Sequence, residues 1–131
     1  MKRTTATLIL LALLACRTED RISSEYEHMQ VPMDRIASDE ARARGREIYR
    51  AKCALCHGRE ADGHGVRRKG LSNPPTNFQR PQWRQSVTPK YVFQVLSEGK
   101  QGTSMPAWPT LTEEQKWDVV AYVLSVAEDG P

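Results

Sequence analysis

Apolar residues recur at helical spacing in three stretches of the chain, and no stretch shows the alternation that is typical of a β-strand. The first stretch begins at Ser38 or Asp39, where a capping side chain precedes acidic residues that suit the positive end of a helix dipole. It continues through Ala41, Ile48 and Tyr49 towards a pair of cysteines. The spacing therefore predicts a first helix that leads directly into a cysteine motif.

The two later stretches have clear helix boundaries. Thr88 can cap the second helix, Pro89 suits its first position, and Gly99 suits its end. The third helix opens with a capping box over residues 112–115. Its apolar residues at helical spacing are Trp117, Val120, Ala121 and Leu124. Because glycine- and proline-rich loops separate the three stretches, the pattern predicts an all-α domain of three main helices joined by long loops.

The N-terminus has the features of an export signal. Two basic residues precede twelve uncharged and mostly apolar residues, which are too few to span a bilayer. Cys16 follows directly, in a context that looks like a bacterial lipobox, so we expect cleavage before Cys16 and lipidation of its thiol. A plain signal peptide with an incidental cysteine is the alternative. Residues 1–15 are thus assigned to the signal, and the charged residues 16–38 to a lipidated N-terminus and flexible tether.

Length and composition fit one small domain. Of the 131 residues, 39% are hydrophobic but only 7% are aromatic, which is a thin supply for a small core. A bound cofactor would add the apolar area that the side chains lack. The net charge is +3 and the basic residues are scattered, apart from the run 67–69, so nucleic acid is not an expected partner. We assign residues 39–128 to the domain and 129–131 to a C-terminal tail.

Two of the three cysteines stand in the motif Cys53-Ala54-Leu55-Cys56-His57. On a turn of helix, two thiols at this spacing can reach the vinyl groups on one edge of a porphyrin, and the next residue can offer an imidazole to the iron. A thioredoxin-type redox pair would need a βαβ setting, and a zinc site would need a second pair of ligands. The motif therefore predicts one covalent heme c, attached through Cys53 and Cys56 and ligated by His57.

The second axial ligand must come from further along the chain. After His57 the only other histidine is His64, which is close in sequence and lies among glycines that indicate a surface turn. The only later methionine is Met105, in a loop without the helical periodicity that a core methionine usually has. We therefore predict Met105 as the sixth ligand, and a neutral thioether raises the potential relative to a second histidine.

Together these features resemble a class I cytochrome c, over residues 39 to about 127. Gly45 and Tyr49 precede the motif with the spacing Gly-x-x-x-Tyr-x-x-x-Cys. The resemblance implies that these two residues meet an aromatic side chain of the last helix, for which Tyr122 is the expected partner. Within the class, the chain is similar to small periplasmic or membrane-tethered members such as the heme subunits of respiratory complexes.

The resemblance also implies contacts around the heme. A proline carbonyl after the heme loop is expected to accept a hydrogen bond from the free nitrogen of the axial imidazole, which sets its tautomer. Pro75 is the first choice and Pro74 the alternative. Trp108 is expected to cover the heme edge. The positions where similar proteins approach a propionate are occupied by Asn77, Trp83 and Arg84.

The expected function is one-electron transfer by a carrier that is not itself an enzyme, alone or as the heme subunit of a larger complex. A heme peroxidase needs an open sixth site, which Met105 would fill, and a gas sensor needs Met105 to leave. A structural lipoprotein with a fortuitous motif is a further alternative. The expected setting is the extracytoplasmic side of a membrane, in a respiratory or photosynthetic chain. Its partners there would be membrane-bound redox complexes, and a lipid on Cys16 would be the anchor.

Overall fold

The computed structural model describes residues 22–129, with side chains up to residue 127. The predicted signal, Cys16 and the start of the predicted tether lie outside the described residues, as does the end of the predicted tail. No helix in the described range has both the length and the apolar character that crossing a membrane requires. The helices are α1 (Ser24–Glu27), α2 (Met33–Ala37), α3 (Asp39–Lys52), α4 (Ala54–His57), α5 (Pro81–Ser86), α6 (Pro89–Glu98) and α7 (Glu113–Asp129).

The predicted all-α fold is confirmed, since the described residues form helices and loops and no strand. The long helices α3, α6 and α7 begin at the predicted capping residues. Ser38 Oγ and Thr88 Oγ1 each accept a hydrogen bond from a backbone N–H of the following first turn, both at 3.2 Å. At the start of α7, Thr112 and Gln115 exchange side chain-to-backbone hydrogen bonds of 2.9 and 3.2 Å. Local chemistry therefore explains where each long helix starts.

Helices α3 and α7 pack closely at Gly45. A Cβ atom on Gly45 would overlap the backbone carbonyl of Asp118, so the crossing requires a residue without a side chain. One turn further along α3, the fully buried Tyr49 meets Tyr122 edge to face, with ring centroids 5.1 Å apart. The three positions named for the helix crossing, Gly45, Tyr49 and Tyr122, thus lie together.

The core continues from this crossing to α6. Phe93 of α6 stacks on Trp117 of α7, with ring centroids 4.3 Å apart and planes 26° from parallel. Helix α7 is buried on several sides at once, which explains why its apolar residues are not confined to one narrow stripe. Its most deeply buried apolar residues are Val119, Val120, Ala121, Val123 and Leu124.

The residues before α3 differ from the predicted flexible tether. From Ile22 onwards the chain packs on the domain, and α1 and α2 bury Tyr26 and Ile36. The Tyr26 ring lies 6.2 Å from that of Phe93, and the backbone N–H of Ser23 donates to Gln94 Oε1 at 3.1 Å. Because each of these short helices buries a single large side chain, the sequence has no repeating apolar pattern there that would indicate packing.

A buried carboxylate fixes this N-terminal segment to the long helices. Asp118 of α7 is 2% exposed and accepts hydrogen bonds from Arg35 of α2 at 2.7 Å and from Arg44 of α3 at 2.9 and 3.2 Å. Burial acts to raise the pKa of Asp118, but the two guanidinium groups outweigh it and hold this pKa below its ordinary value. One charged group therefore connects α2, α3 and α7, beside the Gly45 crossing.

We predict that Gly45→Ala lowers the free energy of unfolding by about 3 kcal/mol, because the added methyl group must push α3 away from α7. Urea denaturation followed by circular dichroism measures the change. Gly70→Ala is the matched control, because a Cβ atom at Gly70 meets nothing within 4 Å, and it should change stability by less than about 0.5 kcal/mol. Equal stability of the two variants would contradict this account of the crossing.

Candidate functional site

The cysteine motif lies where α3 passes into α4. The backbone N–H of Cys53 donates to the carbonyl of Tyr49 at 2.8 Å, and that of His57 donates to the carbonyl of Cys53 at 2.9 Å. Helical bonding therefore continues through the motif and places both thiols and the imidazole on consecutive turns. Cys53 is buried, Cys56 is partly exposed, and neither is in a disulfide.

The imidazole of His57 is held at one edge by a backbone carbonyl. Its Nδ1 lies 3.2 Å from the carbonyl oxygen of Thr76, to which it donates as the Nδ1–H tautomer. The predicted acceptor, Pro75 with Pro74 as its alternative, is therefore corrected to the next residue. The reason is the path of the chain after the two prolines, which directs the Pro75 carbonyl towards Gly63. With Nδ1 engaged, Nε2 is the nitrogen left to bind a metal.

Phe78 covers one face of the same imidazole, a contact that the sequence did not indicate. The two rings are stacked, with centroids 4.7 Å apart and planes 24° from parallel. Trp83, a predicted heme contact, meets Phe78 edge to face, with ring centroids 4.7 Å apart. The ring centroid of Tyr49 lies 6.2 Å from that of Phe78. Phe78 lies in a loop without periodicity, so no spacing rule could assign it to the site. Thr76, two residues before Phe78, contacts the edge of the imidazole, and Phe78 contacts its face.

The loop after α4 is hydrogen-bonded to both Tyr49 and Phe78, two of the residues that surround His57. The Tyr49 hydroxyl donates to the carbonyl of Gly58 at 2.8 Å, and the backbone N–H of Phe78 donates to the carbonyl of Ala61 at 2.8 Å. Ala61 is fully buried and has a positive φ of 61°, which is unusual for a residue with a side chain. Buried hydrogen bonds thus connect α3, the loop and the segment that holds His57.

Burial controls the protonation of the motif. It lowers the pKa of His57, although the hydrogen bond to Thr76 opposes this shift, so the neutral imidazole that a metal requires is favoured. Burial, with the neighbouring Cys56 as a second cause, raises the pKa of Cys53 to about 12. Cys53 is therefore a neutral thiol near pH 7 and not a thiolate nucleophile of the thioredoxin type.

Met105 lies in the loop between α6 and α7, which backbone hydrogen bonds hold in place. The Met105 carbonyl accepts from the N–H of Lys100 at 3.0 Å, and its N–H donates to Thr103 Oγ1 at 3.1 Å. The backbone N–H of Trp108 donates to the carbonyl of Leu96 at 2.8 Å, which joins the end of the loop to α6. Both Met105 and Trp108 are partly buried and pack against the core.

The other predicted site residues lie on the loop that supplies Thr76 and on the short α5. Asn77 and Trp83 line a cavity of about 450 Å³, together with Pro74 and Pro75. The Asn77 amide oxygen accepts from the backbone N–H of Gln79 at 2.9 Å.

The alternative histidine, His64, is exposed, and its Nδ1 lies 3.3 Å from the Asp62 carboxylate, in agreement with the surface turn inferred for it. α5 itself was not predicted, since its six residues are too few for a periodic pattern.

The residues present fit a c-type heme. Two thiols and an imidazole with a free Nε2 stand on adjacent turns, and a soft thioether is available on a separate loop. In addition, the indole Nε1 of Trp108 is buried and has no hydrogen-bond partner among the described residues. A buried N–H without an acceptor is costly, so this group is suited to an acceptor that the described residues do not supply, such as a heme carboxylate.

Comparisons with known proteins agree with this chemistry. A chain in a solved structure titled Kuenenia stuttgartiensis reducing HAO-like protein complex matches with a TM-score of 0.57 and 28% identity. The match covers 76% of this chain and 45% of the Kuenenia chain. The present chain therefore spans less than half the length of the Kuenenia chain. No curated protein matches. The family model described as cytochrome c oxidase, cbb3-type, subunit III matches residues 40–123, most of the described domain. The chain therefore belongs to this family and is a class I c-type cytochrome.

Proposed function

We propose that this protein carries one heme c, bonded covalently to Cys53 and Cys56, with His57 Nε2 and Met105 Sδ as the two axial ligands of the iron. The heme supplies a one-electron change between the ferrous and ferric states. The observation that carries the proposal is the geometry of the motif. Two thiols precede an imidazole on one helical segment, and that imidazole is oriented by a backbone carbonyl at Nδ1.

The polypeptide has three tasks in this proposal. The Thr76 carbonyl and the Phe78 ring hold His57 in one orientation, so that the ligand moves little when the charge of the iron changes. Met105 provides a neutral, soft ligand that favours the ferrous state. Buried side chains such as Tyr49 and Leu96 exclude water, which disfavours the additional positive charge of the ferric state.

An electron carrier is a better match than an enzyme. A peroxidase requires an open sixth position, which the proposed ligand Met105 would occupy; its loop is held by hydrogen bonds of the Met105 backbone. The family description and the related structure both name multi-subunit redox assemblies, which supports a role as the heme subunit of a larger complex.

We further propose that the domain works outside the cytoplasm, tethered through a lipid on Cys16. The described residues pack on the domain from Ile22 onwards, and six residue steps separate Cys16 from Ile22, which span at most about 22 Å when fully extended. Since residues 22–38 are packed on the domain, the tether in this proposal is limited to residues 16–21. The domain would stay next to the membrane surface, which raises its effective concentration near membrane-bound partners.

We expect Met105→Ala to retain the heme but to lower the midpoint potential by roughly 100 mV or more, because water or no ligand replaces the thioether. The oxidised protein should also lose the weak far-red sulfur-to-iron absorption band. Met33→Ala is the control, since Met33 is 60% exposed and lies in α2. An unchanged potential and far-red band in Met105→Ala would rule out Met105 as the ligand.

We expect Cys16→Ser to release the protein from membranes into the soluble fraction of the host cell, with its heme spectrum unchanged. Fractionation followed by heme staining measures this, and the wild-type chain should remain with the membranes. Continued membrane attachment of the serine variant would show that Cys16 is not the anchor, without affecting the assignment of the heme ligands.

A further inference from the structure

The cavity of about 450 Å³ adjoins the candidate heme site without belonging to it. Thr76 is part of its lining, and the Thr76 carbonyl binds Nδ1 of His57, whereas the proposed iron ligand is Nε2. The described residues that line the cavity include neither cysteine of the motif, nor Met105, nor Trp108. The cavity is therefore a separate space, next to the residues that orient the axial imidazole.

Backbone contacts between two loops form the cavity. Gly63 lies so close to the Pro75 carbonyl that a Cβ atom at Gly63 would overlap this oxygen. The N–H of Gly63 also donates to the carbonyl of His57 at 2.7 Å, which fixes the loop to α4. Pro74, Pro75 and the partly buried indole of Trp83 give the cavity an apolar wall. A wall that is already formed lowers the entropic cost of binding a ligand.

Positive charge and hydrogen-bond donors predominate at the other lining positions. Arg68 and Arg80 both line the cavity, and neither is paired with a carboxylate in the described part of the chain. Asn77 accepts from the backbone N–H of Gln79 with its Oδ1, which leaves the two N–H groups of its Nδ2 as donors. These side chains are suited to a ligand that accepts hydrogen bonds and carries negative charge.

Among the described residues that line the cavity, only Asp62 has a carboxylate, and a neighbour already binds this group. One Asp62 oxygen accepts from the backbone N–H of His64 at 2.9 Å, and the other lies 3.3 Å from His64 Nδ1. The first of these contacts is the main cause that holds the pKa of Asp62 below its ordinary value. Asp62 is therefore ionised near pH 7, and two arginines with one aspartate leave the lining with a net charge of +1.

We propose that this cavity binds a phosphate monoester with a small apolar body. The phosphate group lies between Arg68 and Arg80 in this proposal, because a guanidinium group can donate two parallel hydrogen bonds to phosphate oxygens. A phosphate monoester carries a charge of about −1.5 to −2 at pH 7, which two guanidinium groups can balance. This inference goes beyond the proposed electron transfer and does not depend on the identity of the second axial ligand.

The size of the cavity and its apolar wall favour an organic ester over inorganic phosphate. A volume of about 450 Å³ lies within the range of roughly 300–1,000 Å³ that is usual for sites of small organic ligands. Phenyl phosphate is a suitable probe, since its ring can pack on Trp83 and the two prolines while its phosphate group meets the arginines.

Isothermal titration calorimetry of the ferric holoprotein with phenyl phosphate tests the proposal, at about 0.15 M ionic strength, where charges act over only about 8 Å. We expect one ligand per chain. Arg68→Gln/Arg80→Gln should weaken the Kd about tenfold or more, because two charge-assisted partners of the phosphate are lost. Asp62→Asn should tighten the Kd about twofold or more, because it removes a repelling charge. Inorganic phosphate should bind about threefold or more weakly than phenyl phosphate, because it has no apolar body.

The control variant, Arg46→Gln/Arg50→Gln, removes two arginines of α3 that do not line the cavity, and it should change the Kd by less than about twofold. Equal weakening by the two double variants would overturn the proposal, because binding would then follow net charge alone. Inorganic phosphate that binds as tightly as phenyl phosphate would also overturn it.

A wild-type holoprotein that does not bind phenyl phosphate would overturn the proposal directly. If vesicles that contain phosphatidic acid then capture the wild type but not Arg68→Gln/Arg80→Gln, the two arginines belong to a lipid-binding surface and not to a site for a free ester. A protein without heme absorbance would instead refute the proposed function, so the two failures are distinguishable.

Discussion

The close crossing of α3 and α7 at Gly45 is the constraint on which the rest of the structure depends. Because Gly45 has no side chain, the backbone of α7 approaches α3 closely enough for Tyr49 to be enclosed beside Tyr122. Tyr49 then reaches the Gly58 carbonyl with its hydroxyl and approaches Phe78 with its ring. Through these two contacts of Tyr49, the packing of α3 on α7 fixes the position of the loop residues that orient His57. The buried Asp118 stabilises the same crossing and attaches α2 to it.

An electron-transfer site works best when its ligands are held in one geometry in both oxidation states. Here the imidazole is fixed at its edge by a carbonyl and at its face by an aromatic ring, and the two contacts come from residues two positions apart. The second loop, which carries Met105, is anchored separately between α6 and α7. In the proposed site the two axial ligands would thus be held through two separate loops on the helical frame, each fixed by hydrogen bonds to backbone groups.

The sequence was most informative where local chemistry decides the structure. Capping residues marked the starts of α3, α6 and α7, and the Cys-x-x-Cys-His spacing identified the motif, because both depend on neighbours within one or two turns. It was least informative where contacts are distant. Tyr26 and Ile36 pack on residues far along the chain and show no periodicity, so the sequence predicts a tether where the structure has a packed segment. The acceptor for His57 depends on how the chain turns after two prolines, and the position of Phe78 depends on the same turn.

The central claim is that one heme is bonded covalently through Cys53 and Cys56. The most direct measurement is the intact mass of the chain under denaturing conditions, after co-expression with a c-type heme maturation system, for the wild type and for Cys53→Ser/Cys56→Ser. We predict that the denatured wild-type chain keeps the mass of one heme c and that the double variant lacks it. A wild-type chain that separates from its heme on denaturation, or that never acquires one, would contradict the account.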